Sequence, residues 1–79
     1  MLTVKEVTAQ EIVRRWQYYN PANGDFDLAR STREYARLLG VNESLLSHIY
    51  AGRKQPGTKV IVGLLRAFPD SADEIRAAR

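Results

Sequence analysis

Residues 32–56 read TREYARLLGVNESLLSHIYAGRKQP, and this stretch decides the fold. Its first half predicts a short helix with a small residue, Ala36, where a second helix can cross closely. Gly40 follows four residues later, where the C-terminus of a helix favours a residue that tolerates positive φ. Asn42 then predicts the N-cap of a second helix that runs to about Tyr50. The stretch therefore predicts two helices joined by a tight turn.

The second of these helices has two unlike faces. Its apolar side chains fall within an arc of about 100°, and they are Leu45, Leu46 and Ile49. Polar or small side chains fill a separate arc of about 140°, and they are Glu43, Ser44, Ser47, His48 and Ala51. A helix that buries one side and presents small hydrogen-bonding groups on the other can lie in the major groove of DNA. Residues 32–51 are therefore predicted to form a helix-turn-helix core.

The helix before this core has two candidate starts. Capping boxes begin at both Thr3 and Thr8, and we favour Thr8, which leaves residues 1–7 as a loose lead-in. The buried stripe of this helix is predicted as Ile12, Val13, Trp16 and Tyr19. The helix is expected to run to Asn20, because Pro21 drives the residue before it away from helical φ and ψ.

A turn-rich link at residues 20–30 follows. We expect Phe26 and Leu28, within this link, to pack back onto the core. The next helix is predicted to begin after the N-cap Ser31, which opens a capping box, with a start near Asp27 as the alternative.

Two more helices are predicted toward the C-terminus. Helix four begins near Thr58, and Gly63 within it is expected to permit close packing. Its apolar face consists of Val60, Ile61, Leu64, Leu65 and Phe68. Ser71 opens a capping box for a short last helix, whose only large apolar residue is Ile75.

Length and composition favour one folded domain over residues 1–79, with 44% hydrophobic residues to build a single core. Because no strand-like alternation occurs, the predicted fold class is all-α, a compact bundle of about five short helices. No segment approaches the roughly 18–20 apolar residues of a membrane span. The N-terminus lacks the layout of a signal peptide, and we expect a cytoplasmic protein with no membrane partner.

Positive charge is concentrated in the middle of the chain. The net charge of the whole chain is +3, but residues 30–66 hold seven basic and two acidic residues. The flanking segments 1–29 and 67–79 each carry a net charge of −1. This distribution is typical of a surface that binds a polyanion. The alternative is a basic solvated face without a partner.

Residues that could support catalysis are scarce. The chain has one histidine, no cysteine, scattered carboxylates and isolated glycines. These residues form no pattern of a catalytic triad, a metal cluster or a phosphate-binding loop. We therefore expect no enzymatic activity, no cofactor and no metal.

The stretch at 32–56 resembles the helix-turn-helix of the Cro-like phage repressor family, also called the XRE family. The likeness rests on Leu39-Gly40-Val41, Ser47-His48-Ile49, the pair Gly52-Arg53 with Lys54, and Pro56. It covers residues 31–68 and includes the amphipathic fourth helix. The chain departs from the family in the longer link at 20–30, and at Tyr50, where an acidic residue is common. The resemblance implies a bacterial or phage-encoded, nucleoid-associated protein that binds double-stranded DNA.

The resemblance also implies roles for particular side chains. Those expected to face base edges are Glu43, Ser44, Ser47 and His48. Those expected to meet phosphates are Thr32, Arg33, Asn42, Arg53, Lys54 and Lys59. Carboxylate, hydroxyl and imidazole groups can all bond base edges. The alternatives are that His48 is an ordinary surface residue, that Glu43 only favours the helix N-terminus electrostatically, and that Asn42 only caps the helix.

Two classes of function remain open. The first is a repressor-like transcriptional regulator that inserts helix 43–50 into the major groove and acts as a homodimer, formed in solution or only on DNA. The candidate dimer surface consists of Leu65, Phe68 and Ile75. The second is a protein-interaction module on the same fold, such as an antitoxin-like neutraliser of a partner protein. That module would use the apolar residues of helix four and Ile75.

Overall fold

The computed structural model describes residues 8–77. Its helices are α1 (Ala9–Trp16), α2 (Thr32–Leu39), α3 (Glu43–Tyr50), α4 (Thr58–Ala67) and α5 (Ala72–Ala77), with a 3₁₀ turn at Pro69–Ser71. Within residues 8–77 the only β-type pairing is an isolated bridge between Asn20 and Asp25. The predicted all-α fold is therefore confirmed. The lead-in predicted for residues 1–7, with its alternative cap at Thr3, lies outside the described residues.

Side-chain caps fix the starts of α1, α2 and α3. Thr8 and Ser31 each accept a hydrogen bond from the backbone amide three residues later, at 3.2 and 3.1 Å. Asn42 accepts from the amide two residues later, at 2.8 Å. Each cap satisfies an amide that has no partner inside its helix. The predicted starts are confirmed, and the alternative start of the second helix near Asp27 is wrong.

The end of α1 differs from the prediction, because the helix stops at Trp16 rather than at Asn20. A longer helix would direct the carbonyl of Gln17 at the nitrogen of Pro21, which has no hydrogen to donate. The chain instead tightens into i→i−3 bonds after Trp16. The Arg30 guanidinium then donates to the Gln17 carbonyl at 3.0 Å.

The link after α1 folds on itself around one carboxylate. Asn20 and Asn23 donate side-chain hydrogen bonds to the two oxygens of Asp27, at 3.1 and 3.0 Å. These bonds hold the pKa of Asp27 below its ordinary value, the one from Asn23 contributing most. Gly24 closes the turn with a φ of 78°. The link is therefore an ordered turn rather than an open loop.

The core joins side chains from α1, α2, α3 and α4. Its members are Ile12, Val13, Trp16, Tyr19, Tyr35, Ala36, Leu39, Leu46, Ile49, Val60, Leu64 and Phe68. The stripe predicted for the first helix is therefore confirmed, and Ala36 is 2% exposed as expected for a close helix contact. Helix α2 contacts both α3 and α4, while α1 contacts α3 and α5.

The prediction that Phe68 belongs to a dimer surface is wrong. Phe68 is only 6% exposed, and its ring centroid lies 6.0, 5.5 and 6.5 Å from those of Trp16, Tyr19 and Tyr35. The reason is that α4 ends at Ala67, and the backbone of Phe68, at φ −135° and ψ 83°, is no longer helical. The ring is therefore part of the core.

Two other local predictions are wrong. Leu28 is 37% exposed instead of packed on the core, whereas Phe26 does pack there, 5.1 Å from the Trp16 ring. Ser71 is fully buried, and its hydroxyl donates to the carbonyl of Phe68 at 2.7 Å. That bond stabilises the 3₁₀ turn, so Ser71 does not begin a capping box for α5.

Candidate nucleic-acid interface

The turn between α2 and α3 depends on one glycine in the left-handed region. Gly40 has a φ of 73°, and its amide donates to the Arg37 carbonyl at 3.2 Å. The amide of Val41 donates to the carbonyl of Ala36 at 2.9 Å. This pair of bonds is the Schellman motif, which satisfies carbonyls at the end of a helix. It ends α2 and leads directly to the N-cap of α3.

The C-terminus of α3 repeats this arrangement. Gly52 has a φ of 79°, its amide donates to Ile49 at 3.0 Å, and the amide of Arg53 donates to His48 at 2.9 Å. This Schellman motif was not predicted, although a glycine just beyond the predicted end of a helix is its usual signal. The motif anchors the backbone of Arg53 and Lys54 directly beside the end of α3.

The exposed face of α3 carries the predicted base-facing residues. Leu46 and Ile49 are fully buried, and Leu45 is partly buried against the core. The side chains left in solvent are Glu43, Ser44, Ser47 and His48. The helix therefore separates a buried apolar face from an exposed polar one.

An ion pair joins the starts of α2 and α3. The Nε of Arg33 lies 3.8 Å from Oε1 of Glu43, and the two side chains are 78% and 52% exposed. An exposed pair of this kind contributes about 0–1 kcal/mol, so either group can exchange its partner for another at little cost. This contact was not predicted from the sequence.

Most basic side chains of residues 30–66 are exposed. Those exposed within residues 30–66 are Arg33, Arg37, Arg53, Lys54, Lys59 and Arg66. Arg30 is the seventh basic residue of this segment, but it is 7% exposed and its guanidinium points into the protein. The surface of this segment therefore carries one positive charge fewer than the sequence indicated.

The remaining candidate phosphate residues have different surroundings. The Asn42 side-chain oxygen is taken by its cap, so its amide nitrogen is the group left for a ligand. Thr32 is half-buried, and its hydroxyl oxygen accepts from Gln17 Nε2 at 3.3 Å. Lys59 lies with Arg66 along an open groove on α4, beside Leu39 at the end of α2.

A buried polar cluster behind these residues was missed by the sequence analysis. Gln17 is 4% exposed and donates to the carbonyl of Arg30 at 2.9 Å, as well as to Thr32. The Tyr50 hydroxyl donates to Gln17 Oε1 at 2.6 Å. The available signal was that Gln17 follows Trp16 in the i, i+1, i+4, i+5 stripe that begins at Ile12. A polar residue on such a stripe needs buried partners.

The hydroxyls of Tyr35 and Tyr50 are held in their protonated form. Burial raises the pKa of both Tyr35 and Tyr50 far above the ordinary value. Each then serves as a hydrogen-bond donor, Tyr35 to the carbonyl of Val13 at 2.7 Å and Tyr50 to Gln17. These bonds attach α2 and the end of α3 to α1.

No family model, curated protein or solved structure matches this chain. Residues 8–77 contain no group of three or more histidine, aspartate and glutamate side chains arranged to hold a metal ion. In the same part of the chain, no helix is both long enough and apolar enough to cross a bilayer. The candidate site is the exposed polar face of α3, with Arg33 at its start and Arg53 and Lys54 at its end.

Proposed function

We propose that this protein binds double-stranded DNA in a sequence-specific manner, with α3 in the major groove, and acts as a repressor-like transcriptional regulator. The observation that carries the proposal is the two-sided character of α3. Leu46 and Ile49 are fully buried, while Ser47 and His48 between them are exposed. A short helix with this division, flanked by cations, has the shape and chemistry that the major groove accepts.

Phosphate binding is supported by the position of the basic residues. Arg53 and Lys54 are exposed and follow α3 directly, with their backbone amides fixed to the carbonyl of His48 at 2.9 and 3.4 Å. At the other end of α3, Arg33 is exposed beside Glu43. Cations at both ends of the helix can hold the two sides of a groove, since contacts to phosphates position a protein on the duplex.

Base recognition is assigned to the exposed polar side chains of α3. The carboxylate of Glu43 can accept from the amino group of cytosine, and the Ser47 hydroxyl can donate or accept. The His48 imidazole can donate to the guanine acceptors. The Nε of Arg33 lies 3.8 Å from the Glu43 carboxylate at the start of the helix, and the weak pair leaves Glu43 able to turn to a base.

We further propose that two protomers bind one approximately palindromic site. One short helix offers few base contacts, and each base pair contributes only about 1–3 kcal/mol of discrimination. Two copies of α3 on half-sites that lie one helical turn of DNA apart double the number of base contacts. Leu65 and Ile75, both partly buried, remain as the apolar candidates for the contact between protomers. Sedimentation with a specific duplex should give two protomers per site, and a saturated one-to-one complex would exclude this arrangement.

The test of DNA binding begins with selection of duplexes from a random pool, followed by affinity measurements at several salt concentrations. About eight phosphate contacts in a dimeric complex predict a slope of log K against log salt of about −7. A shared motif should emerge from the selected duplexes. Failure to enrich any motif together with salt-independent binding would exclude the proposal.

A protein-interaction module is the second candidate, and one observation favours it. Val62 is 41% exposed on α4, on the groove that also contains Leu39 and Lys59. An exposed apolar residue beside cations suits an acidic segment of a partner protein. Val62→Gln removes the apolar contact without changing the charge, and it should weaken binding to such a partner and leave selection of DNA unchanged. Loss of DNA selection in this variant would instead assign the groove to the DNA complex.

A further inference from the structure

Gln17 lies where the end of α1, the start of α2 and the end of α3 meet. The side chain is 4% exposed, and its amide has three partners at hydrogen-bond distance. They are the carbonyl of Arg30 at 2.9 Å, the hydroxyl of Thr32 at 3.3 Å and the hydroxyl of Tyr50 at 2.6 Å. A buried amide with all these bonds is held in one orientation.

The direction of each bond follows from the carbonyl of Arg30. A backbone carbonyl can only accept, so the group of Gln17 that faces Arg30 must be the NH₂ group. Its oxygen then faces Tyr50, and the Tyr50 hydroxyl must donate to it. If the amide of Gln17 were flipped, its oxygen would face the carbonyl oxygen of Arg30, and two acceptors would lie against each other.

The same logic sets the direction of the Thr32 hydroxyl. The NH₂ group of Gln17 directs a hydrogen at Thr32 Oγ1, which therefore accepts. The hydroxyl proton of Thr32 cannot point back at this donor, and it remains for another acceptor. Thr32 is only half-buried, so that acceptor can come from outside the protein.

We propose that Gln17 and Tyr50 are positioning residues for DNA binding, which turn the hydroxyl proton of Thr32 outward to a phosphate oxygen. This inference rests on the proposed function and adds two residues that do not touch DNA themselves. Each bond in the series from Tyr50 to Gln17 to Thr32 polarises the next. The Thr32 hydroxyl therefore reaches the phosphate already oriented, with little rotational freedom left to lose.

The experiment is a double-mutant cycle on affinity for the selected duplex. Thr32→Val removes the hydroxyl and keeps the shape, and it should weaken binding by about three- to tenfold, the effect of one net hydrogen bond. In the Gln17→Met background, Thr32→Val should weaken binding by less than about twofold, because interacting residues are not additive. Thr32→Ser keeps the hydroxyl and should bind within about twofold of the unaltered chain.

Gln10→Met is the matched control for the substitution at Gln17. Gln10 lies on α1, the helix that ends directly before Gln17, and donates to the carbonyl of Tyr50 at 3.4 Å, but it has no bond to Thr32. In this background Thr32→Val should keep its full effect. Circular dichroism of each variant verifies folding, and if Gln17→Met does not fold, the cycle is repeated with Tyr50→Phe, where the effect of Thr32→Val should be intermediate.

The outcomes separate this inference from the proposed function. A protein that binds the selected duplex but shows equal effects of Thr32→Val in every background overturns the positioning role and leaves DNA binding intact. The same conclusion follows if Thr32→Val has no effect in the unaltered chain. Failure of the unaltered chain to bind any duplex overturns both proposals together.

Discussion

The carbonyl oxygen of Leu39 occupies the space that a side chain on Gly63 would need. An ideal Cβ placed on Gly63 would lie 2.2 Å from this oxygen, well inside any real contact. The close packing predicted at Gly63 is therefore confirmed. The contact fixes the end of α2 against α4, directly before the turn that leads to α3.

Gly63→Ala should therefore destabilise the fold by about 1–3 kcal/mol, because the added methyl group forces the two helices apart. Alanine is the better helix former by about 1 kcal/mol, so a stabilised variant would contradict the close contact. Urea denaturation of the variant and of the unaltered chain measures the difference in unfolding free energy. Arg66→Ala on the same helix, at an exposed position, is the control and should change the unfolding free energy by no more than about 0.5 kcal/mol.

Two serines should respond in opposite ways to replacement by alanine. Ser47 is exposed on α3, and Ser47→Ala should leave the melting temperature nearly unchanged while lowering the affinity for the selected duplex. Ser71 is buried with its hydroxyl bonded to Phe68, so Ser71→Ala should lower the unfolding free energy by about 1 kcal/mol and spare DNA affinity. If Ser47→Ala melts early yet binds normally once folded, Ser47 does not face DNA.

Arg53→Ala and Lys54→Ala should each weaken binding to all duplexes alike and reduce the salt slope by about one. The reason is that a phosphate contact releases counterions without distinguishing bases. Titrations of selected and unselected duplexes at several salt concentrations give both the affinities and the salt slope. Arg76→Ala, at an exposed position of α5, should leave the slope unchanged. An altered sequence preference with the slope intact would mean that these side chains contact bases.

Alkaline pH should unfold the protein through its tyrosines. Burial raises the pKa of Tyr35 and Tyr50, and the hydrogen bond to Asp70 raises that of Tyr19, all above the ordinary value of 10.0. For groups with a raised pKa, the stabilisation is complete below the ordinary value and is lost as pH rises toward the folded-state values.

In a pH titration, tyrosinate absorbance from these residues should therefore appear together with loss of the helical circular dichroism signal. Tyr35→Phe removes the hydroxyl that donates to the carbonyl of Val13. Because one of the titrating groups is gone, the unfolding free energy should fall less steeply with rising pH. Full ionisation of the tyrosines with the helices intact would contradict their burial.

The starts of three helices and the glycine turn were predictable because they depend on neighbours in sequence. Thr8, Ser31 and Asn42 each cap with an amide two or three residues away, and the bonds around Gly40 span five residues or fewer. The exposed face of α3 followed from the helical period alone. In each of these cases the energy that decides the structure lies inside a short window of the chain.

Tertiary structure decided the features that depend on distant residues. α1 ends at Trp16 because Pro21 cannot donate and Arg30 can. Phe68 is buried because the rings of Trp16, Tyr19 and Tyr35 surround it after α4 ends. The buried side chain of Gln17 is hydrogen-bonded by partners up to 33 residues away. Such contacts form only when the helices have packed, since no local pattern tells a buried polar group which distant atom will satisfy it.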